Sequence, residues 1–190
     1  MLQTCRSCLP GLALAALAAC SPTFNWREVP VGDAGLVALL PCKPDRASRQ
    51  LPLGAESVAV EMVGCEAGDA TFAVASAHAA DATQAGSWMH AWQAATRSQL
   101  AGIRITESAA TLPRAAASPT AARLDTPDPA PPKRDGSSPS TAESATAPMH
   151  VLWFAQRDSD GSVTLYQATV LGKPSSAEAR STFFEGLRLP

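Results

Sequence analysis

Alternating apolar and polar positions, broken by one stretch of helical spacing, divide the chain into predicted elements. Phe24 to Val31, with Trp26 and Val29, predicts a first strand. Leu36-Val-Ala-Leu-Leu is a short apolar run stopped by Pro41 and Pro44, the pattern of a buried strand. Arg49 to Leu53 is a weaker strand turned by Gly54. Ser57 to Cys65 then alternates, with Val58, Val60 and Met62 on one face and Glu61 on the other. After a Glu66-Ala-Gly-Asp turn, Ala70 to His78 alternates again through Phe72, Val74 and Ser76. From Asp81 to Ala101 the period changes. Ala85, Trp88, Met89, Trp92 and Ala95 recur at helical spacing, which predicts an amphipathic helix ending near Gly102.

Ile103 and Ile105 predict a further strand. Met149 to Arg157 and Ser162 to Leu171 predict a hairpin joined through Asp158-Ser-Asp-Gly161. The segment Ser175 to Phe184 predicts a last helix, capped by Ser175 or Ser176, with Glu178 in its first turn. Phe183, Phe184 and Leu187 are positioned to dock it on a sheet.

Composition interrupts this pattern once. Half of the 16 prolines fall between Thr111 and Pro148, among Ala, Ser and Thr. A stretch so poor in large apolar residues buries too little surface to offset its ordering entropy, so residues 111–148 are expected to be a disordered insertion. The expected organisation is one α+β domain, an antiparallel sheet packed by helices. Residues 20–110 supply its first part and residues 149–190 its final hairpin and C-terminal helix.

Two resemblances add to this reading. Gly35-Leu-Val-Ala-Leu-Leu-Pro-Cys-Lys-Pro44 and the closing Phe183-Phe184-Glu185-Gly186-Leu187 resemble the strand end and helix end of the PsbP-like α/β class. That class includes photosystem extrinsic subunits, Ran-binding import factors and bacterial lipoproteins. The resemblance implies an αβα sandwich used for binding or assembly, and it carries over no catalytic residue.

At the other end, Arg6 precedes an apolar stretch from Leu9 to Leu17, and Leu17-Ala18-Ala19-Cys20 resembles a bacterial lipobox. The apolar stretch is too short to span a bilayer. The resemblance implies that residues 1–19 are a cleaved signal peptide and that Cys20 carries the acyl chains of a membrane anchor. More than one chain is needed, because a single one binds only marginally. An ordinary signal peptide cut near Ala19 is the alternative. Ser21 in place of Asp after the lipidated cysteine implies the outer membrane, facing the periplasm.

Cysteine usage agrees with export. Beyond the signal and Cys20 remain Cys42 and Cys65, an even pair that an oxidising compartment would join in a disulfide, two buried thiols being the alternative. A net charge of −2 advertises no nucleic-acid surface.

The motifs of hydrolases, nucleotide-binding loops and zinc proteases are missing from the sequence, and no cofactor is expected. His78, His90 and His150 show no ligand spacing around the cysteines. Asp158-x-Asp160-Gly161 echoes a calcium loop but lacks its closing Glu, and a hairpin turn is favoured. Trp88 and Trp92 at i and i+4 read as core before they read as an aromatic cleft. The expected function is therefore a non-enzymatic binding or assembly module with an envelope protein as possible partner. A hydrolase or metal site gathered from His78, His90, Asp81 and Glu61 is the alternative.

Overall fold

The computed structural model describes residues 22–128 and 147–190. The expected signal peptide, Cys20 and residues 129–146 of the expected insertion lie outside them. The chain is an α+β fold built on one antiparallel sheet of seven strands. In chain order the elements are β1 (Arg27–Val31), β2 (Leu36–Leu40), β3 (Asp45–Leu53), β4 (Glu56–Ala67), β5 (Ala70–Ala79), α1 (Ala82–Gln99), β6 (Thr106–Ala109), β7 (Ala122–Asp125), β8 (Met149–Arg157), β9 (Val163–Gly172) and α2 (Ala179–Glu185). The sheet runs β3-β4-β5-β9-β8-β7-β6, and β1 and β2 form a separate two-stranded ribbon.

Alternation along the strands sends side chains to two cores. Val151, Trp153, Ala155, Val163 and Leu165 point to the face covered by α1, which supplies Ala85, Trp88, Met89 and Trp92. Both tryptophans are therefore core. Trp88 keeps its indole N–H satisfied by donating to Glu56 Oε1 at 3.1 Å. Asp81 caps α1 by accepting from the N–H groups of Thr83 and Gln84, while Gln84 Oε1 accepts from the Ala80 N–H.

On the opposite face, Phe72, Val74, Leu152, Phe154, Tyr166 and Val170 meet the ribbon and α2. Phe183 is fully buried there, with its ring edge-on to Phe72 at 5.5 Å, so truncating it to Ala would cost about 3–5 kcal/mol. Among the described residues, both cores draw on the stretch from Phe24 to Leu189, so the chain after Ser21 carries its own core.

Two expectations need correction. The insertion does not begin at Thr111: Leu112 and Ala115 pack against the second core, Ala121 belongs to it, and residues 122–125 form β7 between β6 and β8. Leu124 is fully buried on the α1 face, and that one anchor outweighs the surrounding proline-rich composition.

The final helix starts at Ala179 rather than at Ser175. Its cap position is Glu178, whose side chain makes no capping bond; the Ser176 hydroxyl instead donates to the Glu178 carboxylate.

β2 lies in the ribbon, and β3 is an edge strand of the main sheet that pairs with β4. The expected disulfide joins Cys42 to Cys65, with Cα atoms 6.0 Å apart. It joins the end of the ribbon to the main sheet, across layers rather than along one.

Candidate functional site

Among the described residues, the short α2 and the ribbon leave part of their sheet face uncovered, toward β7 and β6. A groove of about 1060 Å³ opens there. Leu152 of β8 forms its floor with Phe184, Leu187 and Leu189, all buried, and Leu112 joins them from the opposite wall. Four arginines line it, Arg114, Arg123, Arg180 and Arg188, against one carboxylate, Glu185.

Each arginine is held in place by a different element. Arg123 stands on β7 directly opposite Leu152. Its Nε and Nη2 donate to the two oxygens of Asp125 at 2.7 and 3.0 Å, and its guanidinium lies 4.8 Å over the Phe184 ring. Arg188 follows α2 in a stretch pinned to β2 by paired main-chain bonds with Val37, and its side chain reaches Glu28.

Arg180, in the first turn of α2, donates to both oxygens of Asp128 at 3.3 Å and to His150 Nε2 at 2.6 Å. Nε2 also lies 3.4 Å from Asp128 Oδ1; arginine has no acceptor, so the Arg180 bond is made by the tautomer that accepts at Nε2 and carries its proton on Nδ1. That nitrogen donates to Asp125 Oδ1 at 2.6 Å. His150 is only 3% exposed. Burial pushes the Asp125 carboxyl up, but the hydrogen bonds from Arg123 and His150 outweigh it and hold the group below its ordinary range. Asp125, His150 and Arg180 thus form a hydrogen-bonded chain along the groove wall, centred on the buried His150.

Arg114 differs from the other three. Leu112-Pro113-Arg114-Ala115 closes with Ala115 N–H donating to the Leu112 carbonyl at 3.1 Å, and Arg114 has φ +66°. Proline at the second position and positive φ at the third are the pattern of a type II turn, whose third position favours Gly or Asn. An arginine there costs about 1–2 kcal/mol of backbone strain. Among the described residues its side-chain partner is the Leu189 carbonyl, at 3.5 Å, with no carboxylate beside it.

A second groove, of about 850 Å³, brings together two of the residues expected of a scattered site, His78 and Glu61, with Asp33, Glu56, Asp158 and Asp160. His90 and Asp81 do not line it. Most of its acceptors are already engaged. Asp158 accepts from the Thr164 hydroxyl at 2.9 Å, Asp160 from the Ser162 hydroxyl at 2.6 Å, and Glu56 from Trp88 and Gln84. Asp158 and Asp160 therefore fasten the β8–β9 turn. Among the described residues no three His, Cys, Asp or Glu side chains converge as a metal site would require.

Cys42 and Cys65 are brought together as described, and Cys20 lies outside the described residues. No family model and no curated protein matches the chain. Among the described residues, no helix is long and apolar enough to cross a membrane.

Proposed function

We propose that this protein is an envelope lipoprotein whose PsbP-like domain is a non-enzymatic binding module, with the arginine-walled groove as its binding site. The carrying observation is the groove itself: an apolar floor and fixed cationic walls, on a face that α2 and the ribbon leave open. Sites of this make-up, mostly apolar with a few oriented polar groups, are the usual form of ligand pockets. The address rests on Leu17-Ala18-Ala19-Cys20 and Ser21, with acyl chains on Cys20 holding the protein to the periplasmic side of the outer membrane. The Cys42–Cys65 disulfide supports an oxidising compartment.

Two measurements in intact cells test this reading. Cys20→Ser should leave an uncleaved or soluble form that no longer fractionates with outer membranes. A photocrosslinker at Ser181, exposed on the groove wall, should give an adduct that the same group at Ala94, exposed on α1 across the sheet, does not. Unchanged fractionation removes the anchor, and equal labelling from both positions removes the groove.

The second reading, a hydrolase or metal site, is favoured by the meeting of His78 and Glu61 in the acidic groove. A rise in melting temperature with zinc or calcium, abolished by Glu61→Gln, would carry it. No shift would remove it.

A further inference from the structure

We propose that the groove takes a single-chain anionic amphiphile, its charged head on Arg114 and its hydrocarbon along Leu152, Phe184, Leu187 and Leu189. This deepens the binding-module reading and rests on it.

Three observations select that chemistry. First, the floor is a continuous apolar strip beneath a cationic rim, so a small free anion would leave the strip uncovered and a neutral chain would leave the rim unanswered.

Second, among the described residues, Arg123, Arg180 and Arg188 are already matched by Asp125, Asp128 and Glu28, whereas Arg114 faces a main-chain carbonyl and no carboxylate. One cation is therefore left for one negative charge. Glu185 on the α2 wall weighs further against a dianion.

Third, Arg114 holds a backbone position where Gly would be more stable. Its one bond among the described residues is the long contact with the Leu189 carbonyl, and a charged ligand head would be a stronger partner. The planar fork of a guanidinium also spends little conformational freedom in meeting a carboxylate.

The same feature supplies a variant that separates ligand binding from folding. Arg114→Gly removes the guanidinium while relieving the turn. The chain from Ser21 to Pro190 would be titrated with dodecanoate below its micelle concentration, alongside dodecanol and acetate, and its melting temperature followed. The expected result is saturable dodecanoate binding, weaker dodecanol binding and none by acetate. Arg114→Gly should lose about ten- to a hundredfold in dodecanoate affinity, as expected for one charge-assisted contact, with an unchanged or higher melting temperature.

Equal binding of dodecanol and dodecanoate, full affinity in Arg114→Gly, or binding of acetate alone would each overturn the amphiphile. If dodecanoate fails while the Ser181 crosslink forms to a protein, the groove takes a polypeptide; the amphiphile falls and the binding module stands. If both fail, both readings fall.

Discussion

Arg180 Nη1 stands 2.6 Å from His150 Nε2, a hydrogen bond that requires the buried imidazole to accept at that nitrogen. Nitrogen-detected NMR at neutral pH should find the His150 proton on Nδ1. His150→Phe should fill the space but strip Asp125 and Arg180 of a partner each. A loss of about 1–3 kcal/mol in chemical unfolding is expected; a loss below half a kcal/mol would show that the chain of contacts does not hold the wall.

Acid should act on the same residues. Asp125 has a folded pKa held below its unfolded value, near 3.9 for a free Asp. Its contribution is therefore fully present above that value and is lost as pH falls through the folded pKa. Asp125→Asn should flatten the acid limb of stability against pH, seen as a smaller drop in melting temperature between pH 5 and pH 3 (about the span over which a free Asp titrates).

The Cys42–Cys65 bridge closes a loop of sequence separation 23. In the chain-entropy treatment it contributes about 3 kcal/mol. Reduction, or Cys65→Ser, should lower the melting temperature by several degrees and leave membrane attachment unchanged. Because the bond ties the ribbon to the sheet, hydrogen exchange should rise first in β1 and β2 while β8 and β9 stay protected.

Two deletions distinguish the parts of the proline-rich segment. Replacing residues 129–146 with a short Gly-Ser link should alter stability little, because loop length enters only logarithmically and its ends are held together by Thr126 and Met149, whose main-chain N–H···O bond is 2.9 Å. Removing residues 113–147 takes β7, Leu124 and Arg123 with it. Its urea midpoint should fall sharply, with cooperativity reduced.

The difference between those deletions shows what sequence can and cannot carry. The β8–β9 hairpin and α1 are legible because many residues repeat the message, as Val151, Trp153 and Ala155 do against one face, or Ala85, Trp88, Met89 and Trp92 do at helical spacing. In β7 a single large apolar residue, Leu124, carries the pattern, and its strand state is set by pairing with β8, a tertiary effect that local composition does not report. The groove was hidden for a related reason. Arg114, Arg123, Arg180 and Arg188 come from a turn, a strand, a helix and a tail, and each alone reads as surface. Pro113-Arg114 was the one local hint, a turn signal with an arginine in the place of a glycine.

Tyr166 offers a test from the opposite end of the pH scale. Its ring stacks on Phe154 at 5.0 Å, and its hydroxyl has no hydrogen-bond partner among the described residues. Burial, reinforced by the Asp158 charge, pushes its pKa well above the ordinary value. A raised folded pKa means stability that is complete below about pH 10 and declines as pH rises toward the folded value. Tyr166→Phe should remove this alkaline decline. At neutral pH it should be neutral or stabilising by up to about 1 kcal/mol, since no bond is lost. A loss of more than that in urea unfolding would mean that the hydroxyl does have a partner.

The ribbon's single covalent tie has a mechanical consequence. The N-terminal end of β1 enters opposite the C-terminal end of β2, Arg27 against Leu40, so tension applied at the N-terminus peels the two strands apart one pair at a time. That peeling reaches Cys42 and stops, because the next link is a bond to Cys65 inside the main sheet. A protein held by its first residues would thus yield a short, bounded length of chain under load, and the pull would reach the groove's Arg188 wall through its paired bonds with Val37 before the disulfide stops it.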